Sequence, residues 1–218
     1  MNTKRSRTKL RALLFDLDGT LTDPFDGISR CYRFALERLN VEVDPQFDFR
    51  SWIGPPMHDA FAAVVEPHRI PEAISHYRER YGTHGLYENV VYDGIASLLA
   101  DMRSRARLFV CTSKPAFFAE QILRHFDLYG YFEGVYGSEL DGRYAHKPQL
   151  LARLLQEQHI AGADAVMIGD RRHDVVAALE NGVTAYGAAW GYGTIEELRG
   201  AGAHAIFDTP DELKAALR

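Results

Sequence analysis

From residue 93 onward, short apolar runs alternate with helical patterns, and that rhythm limits the fold more than any other feature. A helical pattern over 94–105 precedes RLFVCT at 107–112. A helix over 115–125 leads to GVYG at 134–137, and a helix over 147–158 leads to AVMIGD at 165–170. A helix over 173–181 leads to TAYGAAW at 184–190; a short AIF strand then precedes a last helix over 210–217. Apolar strands alternating with amphipathic helices predict an α/β fold, a parallel sheet covered on both faces. RALLFD at 11–16 reads as one more such strand, ending in a carboxylate.

The series is interrupted just after that first strand. LDGTLTDP has loop composition. Residues 24–39 then read as a helix, with Asp23 as N-cap and Pro24 at the first helical position. Ile28, Cys31, Tyr32, Ala35 and Leu39 form its apolar stripe. Pro55-Pro56 and Pro71 mark the starts of helices over 55–65 and 71–81. Residues 22–86 are therefore expected to be all-helical, inserted into an α/β core made of 11–21 and 87–218. Residues 1–10 are expected to be a basic, flexible tail.

Composition removes several classes of function. The 218 residues are 46% hydrophobic and 25% charged, which excludes wholesale disorder and a fibre. No apolar window approaches the roughly 18 residues of a membrane span. Cys31 and Cys111 lack zinc-ligand or CxxC spacing. The formal charge is −5, yet five of the 25 basic residues lie in the first eleven positions, with no acid among them. The body is thus acidic, and neither a nucleic acid nor a membrane is expected as partner. Asp16 cuts short the apolar stretch after the basic start, so a signal peptide is not expected and a cytoplasmic enzyme is.

Ligands of open α/β sheets bind at the carboxyl ends of the strands. The first strand ends in Asp16-Leu17-Asp18-Gly19-Thr20, and the second in Thr112-Ser113-Lys114. The fourth ends in Gly169-Asp170, with Asp174 four residues on, and Lys147 opens the helix before it. Any one of these has an ordinary structural reading as a cap, a turn residue or a solvated lysine. Together they gather four carboxylates, a hydroxyl and a lysine. Clustered carboxylates repel one another, and a hard cation relieves them; magnesium suits a site that also takes a phosphate. His146 and His173 flank the set and are read as helix-start or loop residues.

DLDGTLTD, Thr112-Ser113, Lys147-Pro148 and GDRRHD, in that order, resemble the motifs of the haloacid dehalogenase superfamily. The likeness covers essentially all of 11–218 and is greatest to the phosphoglycolate phosphatase-like branch. It implies a Rossmann-like parallel sheet core and a helical cap. Asp16 resembles the nucleophile that forms an aspartyl phosphate, and Asp18 the general acid/base. Gly19 and Thr20 would shape the loop against the phosphate. Thr112 and the Ser113 N–H would hold phosphoryl oxygens, and Lys147 would neutralise charge on the phosphoryl group and on Asp16. Asp16, the Asp18 carbonyl and Asp170 would hold magnesium, with Asp174 helping directly or through water.

The resemblance also narrows the reaction. Asp18 argues against dehalogenation, and the lack of lysine in 22–86 argues against a Schiff-base phosphonate hydrolase. A phosphomonoesterase acting on a small phosphorylated metabolite is expected. A 5′-nucleotidase, a β-phosphoglucomutase-like transferase, and a non-enzymatic receiver or lapsed scaffold are the alternatives. Arg50, Trp52, Gly54 and Pro55, in RSWIGPP, are the cap candidates for selecting substrate. Arg50 would pair with a carboxylate such as that of phosphoglycolate, whereas Trp52 would stack on a nucleotide base.

Overall fold

The protein's structure, a computed structural model, describes residues 12–54 and 57–218. The basic tail, Arg11 and the Pro55-Pro56 pair lie outside the described residues. In chain order, β1 (Ala12–Phe15) and a two-residue β2 (Thr22–Asp23) precede α1 (Phe25–Arg38), α2 (Met57–Ala62) and α3 (Ile70–Arg80). β3 (Val90–Val91) leads to α4 (Ile95–Met102), β4 (Arg107–Pro115), α5 (Ala116–His125) and β5 (Gly134–Ser138). The rest is α6 (Lys147–Glu157), β6 (Ala165–Gly169), α7 (Arg172–Glu180), β7 (Thr184–Ala188), α8 (Ile195–Ala201), β8 (Ala205–Phe207) and α9 (Pro210–Ala216).

Six of the described strands form one parallel sheet in the order β5-β4-β1-β6-β7-β8. The first strand is central, with Leu14 level with Phe109 on one side and Met167 on the other. The chain winds outward from β1 to β4 and β5, then crosses back to β6, β7 and β8. That reversal leaves a crevice at the carboxyl end of β1, the general position for a ligand in such sheets.

Alternation along each strand feeds two cores. Leu13, Phe15, Leu108, Val110, Val166 and Ile168 face one side. Ala12, Leu14, Phe109, Cys111, Ala165 and Met167 face the other, against Leu150 and Leu154 of α6, Val175 of α7 and Leu198 of α8. The first side packs on α4, α5 and α9, and its core continues without a break into α1 and α3. The helical layer is therefore seated on the sheet's apolar surface.

Three expectations need correction. Thr22 and Asp23 are not helical; they pair antiparallel with Val90 and Val91, so a small ribbon joins the helical layer to the sheet. Two residues per strand carry no periodicity. Helix α8 interrupts the stretch between β7 and β8, where none was expected; it is short and only Leu198 is buried, so its pattern is faint. Trp52 is core rather than an open stacking face. It is 8% exposed, with ring centroids 4.8 Å from Tyr32, 5.2 Å from Phe49 and 5.3 Å from Phe47. Edge-on packing of this kind makes a stiff aromatic block. Trp52→Ala is accordingly expected to cost about 3–5 kcal/mol of stability, read from urea unfolding midpoints.

Candidate active site

The carboxyl end of β1 places Asp16 at the centre of the crevice, its N–H bonded to the Ile168 carbonyl at 2.9 Å. The chain then folds back on itself: the Thr20, Leu21 and Thr22 N–H groups all reach the Leu17 carbonyl. Gly19 stands at φ +82°, and a Cβ there would collide with the Asp170 carboxylate. Its missing side chain is thus demanded by a neighbouring acid. Thr20 is fully buried and donates to Asp170 Oδ1 at 3.3 Å. Its side chain thereby supports Asp170.

Lys147 is 4% exposed and lies between two carboxylates. Its ammonium pairs with Asp16 Oδ1 at 2.9 Å and with Asp174 Oδ1. Burial opposes its charge, but Asp16 and Asp174 outweigh that and raise its pKa. Asp174 Oδ2 accepts the Arg171 N–H at 3.0 Å, so both its oxygens are engaged. Burial, only partly offset by Lys147, pushes Asp174 up to about 6. Asp170 is fully buried. Burial first, then Asp174 and Asp16, raise its pKa well above the ordinary carboxylate value. Asp16, Asp170 and Asp174 each bring an oxygen within 4.8 Å of the others. Three buried, hard oxygen donors whose charges resist one another suit magnesium.

Asp18 turns away from that trio. Both its oxygens face Lys114, at 2.7 and 2.9 Å. The Lys114 ammonium also donates to Tyr81 Oη at 2.6 Å, a contact from the helical layer. Burial raises the Asp18 pKa, and Lys114 only partly counters it. Lys114 and Tyr81 were not among the expected site residues. The signal was present, since Lys114 follows Thr112-Ser113 directly, but a β4–β5 register irregularity between Cys111 and Pro115 aims it. Bulges beside active sites commonly re-aim a side chain in this way.

Other expected residues divide. Thr112 is buried, its Oγ1 accepting the Lys114 N–H at 3.2 Å, and the Ser113 carbonyl accepts from Ser138 Oγ at 2.9 Å. Arg50 has a side chain 61% exposed; it pairs with Asp48 at 3.3 Å and lies 4.5 Å over the Phe25 ring. Gly54, at φ +102°, rests against Arg171. Pro55 is outside the described residues. His146 and His173 are exposed, consistent with helix-start positions. The loop after β7 was also missed: the Tyr192 N–H donates to Asp170 Oδ2 at 2.8 Å, and Trp190 Nε1 to the Thr20 carbonyl at 3.0 Å.

The model of haloacid dehalogenase-like hydrolases matches residues 13–188. The chain belongs to that family. The 5′-nucleotidase of Pseudomonas aeruginosa is 46% identical over 190 residues, with 86% of each chain covered. The tyrosine-protein kinase PtkA of Mycobacterium tuberculosis is 39% identical over 209 residues, covering 94% of this chain and 72% of that one. A predicted phosphatase from Clostridium acetobutylicum has the same fold, with a TM-score of 0.90 and 37% identity over 95% of this chain and 98% of that one. Family and site together make this chain a phosphatase. Among the described residues, no helix is long and apolar enough to cross a membrane.

The raised carboxylates tie the stability of the fold to pH. A group whose pKa is higher folded than unfolded stabilises the fold fully below its unfolded value and loses that contribution as pH rises through the folded one. For Asp174 the loss runs between 3.8 and about 6. Asp170→Asn removes the second such charge. In metal-stripped protein it is expected to raise Tm by a few degrees at about pH 8 and to give no gain at about pH 4. Calorimetry at the two pH values checks this.

Proposed function

We propose that the protein is a magnesium-dependent phosphomonoesterase for a small phosphorylated metabolite, working in the cytoplasm through an aspartyl phosphate on Asp16. The observation that carries this reading is the Lys147 ammonium between Asp16 and Asp174, with Asp18 held apart on Lys114. One oxygen of Asp16 attacks phosphorus; the ester P–O bond breaks, and Asp18 protonates the leaving oxygen. Burial, which keeps the Asp18 proton affinity high, favours that acid role. Water then attacks the phosphorus, Asp18 takes its proton, and phosphate departs from Asp16. Lys147 balances the charge on Asp16 and the phosphoryl group, while the Thr112 hydroxyl and Ser113 N–H hold phosphoryl oxygens. Magnesium, when bound by Asp16, the Asp18 carbonyl and Asp170, with Asp174 behind them, supplies further charge neutralisation.

Residues 22–86 act as the cap in this reading, excluding water during attack by Asp16 and readmitting it for hydrolysis. The substrate reading favours a small acid of the phosphoglycolate kind. A carboxylate on the leaving group can take the place of Asp18 on Lys114, freeing Asp18 for proton transfer. The aromatic surroundings of Trp52 give no support to base stacking. The likeness to a 5′-nucleotidase supports the second reading, a nucleoside monophosphate.

Two measurements test the mechanism. Asp16→Asn should reduce p-nitrophenyl phosphate turnover by at least about 10³-fold, and a near-wild-type rate would falsify the covalent route. EDTA should abolish wild-type turnover and added magnesium restore it. Comparing kcat/KM for phosphoglycolate, nucleoside monophosphates, sugar phosphates, pyrophosphate and phosphotyrosine decides the substrate. A clear lead for phosphotyrosine in an intact protein would sink the small-metabolite reading.

A further inference from the structure

Arg171 follows Asp170 directly, but its side chain leaves the carboxylates and reaches the helical layer. Its Nη1 donates to the Ile53 carbonyl at 2.7 Å, across 118 positions of sequence. Its Nε donates to Glu197 Oε1 at 3.0 Å. Glu197 is itself fixed, accepting the Arg172 N–H at 2.9 Å, while its own N–H is capped by Thr194 Oγ1 at 3.0 Å. The guanidinium is therefore aimed from the core side before the helical layer meets it. On the other side, a Cβ on Gly54 would stand 3.2 Å from Nη1, so the loop lies directly on the guanidinium.

The two ends of this contact matter. Ile53 is buried and follows Trp52, whose carbonyl accepts from Tyr32 Oη at 3.5 Å within the aromatic block. A pull on the Ile53 carbonyl is thus a pull on a stiff body. Meanwhile the Arg171 N–H holds Asp174 Oδ2, the acid that pairs with Lys147. One residue fastens the loop carrying Arg50 and Gly54 to the turn carrying Asp170 and Asp174.

We propose that Arg171 is a positioning residue that seats the loop of residues 50–54 over the phosphoryl site and thereby sets how tightly substrate is held. The inference rests on residues 22–86 acting as a cap. Arg171 touches no reacting atom; Glu197 keeps it aimed, and the Ile53 carbonyl is the partner it gains and loses as the helical layer moves.

The test pairs kinetics with limited proteolysis at the junctions 21–23 and 88–93. Arg171→Ala should raise KM for the best substrate about tenfold or more, the scale of one lost charge-assisted hydrogen bond. Its kcat should change by a smaller factor, and ligand-free cleavage at the junctions should quicken. Arg171→Lys should recover part of both effects, because an ammonium can still reach the carbonyl. Should Arg171→Ala fail to fold, Glu197→Gln, which removes the charge aiming the guanidinium, is read by the same measurements. KM and cleavage both within twofold of wild type, or a fall in Tm alone, would overturn the proposal. The proteolysis arm needs no turnover, so it reports on Arg171 even if the phosphatase reading itself fails.

Discussion

The ammonium of Lys147, almost wholly out of water, is what allows Asp16, Asp170 and Asp174 to share one small volume. Breaking such a pair by removing one partner leaves uncompensated buried charge, a cost of about 3–5 kcal/mol. The sheet order makes the pairing possible: β1 is central, and the helix that begins with Lys147 leads straight into β6 beside it. Yet the compensation is incomplete. Asp16, Asp18, Asp170 and Asp174 face Lys114 and Lys147, which leaves two negative charges unmatched. That deficit equals the charge of one divalent ion. Burial first, and then the neighbouring carboxylates, raise the proton affinities of Asp170 and Asp174.

Support for the carboxylates extends into the ribbon that joins the two layers. The loop after β7 donates a backbone N–H to Asp170 and the Trp190 indole N–H to the Thr20 carbonyl. The Tyr192 hydroxyl then donates to Asp23 Oδ1, and Asp23 Oδ1 in turn accepts the Phe25 N–H at the start of α1. Hydrogen bonds therefore run unbroken from a site acid to the first turn of the helical layer. Arg171 makes a second, separate connection at Ile53, and Lys114 a third at Tyr81. All three start from residues at or beside the carboxyl ends of core strands. The position of the helical layer and the order of the site are thus carried by the same loops.

Sequence reasoning reached what has a period or a motif. The strands apart from the β2–β3 ribbon, and most helices, follow from apolar runs and stripes. Asp16, Lys147, Asp170 and Asp174 converge because β1 and β6 are adjacent and the helices carrying Lys147 and Asp174 begin beside their carboxyl ends. What it missed has no period. The β2–β3 ribbon is held by two-residue strands, and α8 buries one leucine. Tyr81 reaches Lys114 from the turn that follows α3, which only the packing of two layers can bring about. Thr20 was expected to shape the loop because it sits in the motif; its contact with Asp170 depends on a residue 150 positions away. For Trp52, an aromatic in a Gly/Pro loop looks available, but Tyr32, Phe47, Phe49 and Phe61 enclose it.

Asp16 and Asp18 are two residues apart and chemically alike, and their surroundings separate them. Asp16 lies beside Lys147, in the group with Asp170 and Asp174. Asp18 lies under the helical layer, its carboxylate bridged by Lys114 to Tyr81, where burial favours the proton. In the proposed mechanism these different settings assign Asp16 the nucleophile's task and Asp18 the acid's. The division depends on the helical layer being seated, because Tyr81 belongs to that layer. Lifting the layer removes the hydroxyl that helps hold Lys114 and admits water around Asp18, which lowers its proton affinity. A seated layer therefore raises the proton affinity of Asp18 through burial, the direction that protonating a leaving group asks for. An open one favours the carboxylate that can accept a proton from water. In the proposed mechanism the two halves of phosphoryl transfer ask opposite things of Asp18, and a cap that carried Tyr81 to and from Lys114 would supply each in turn.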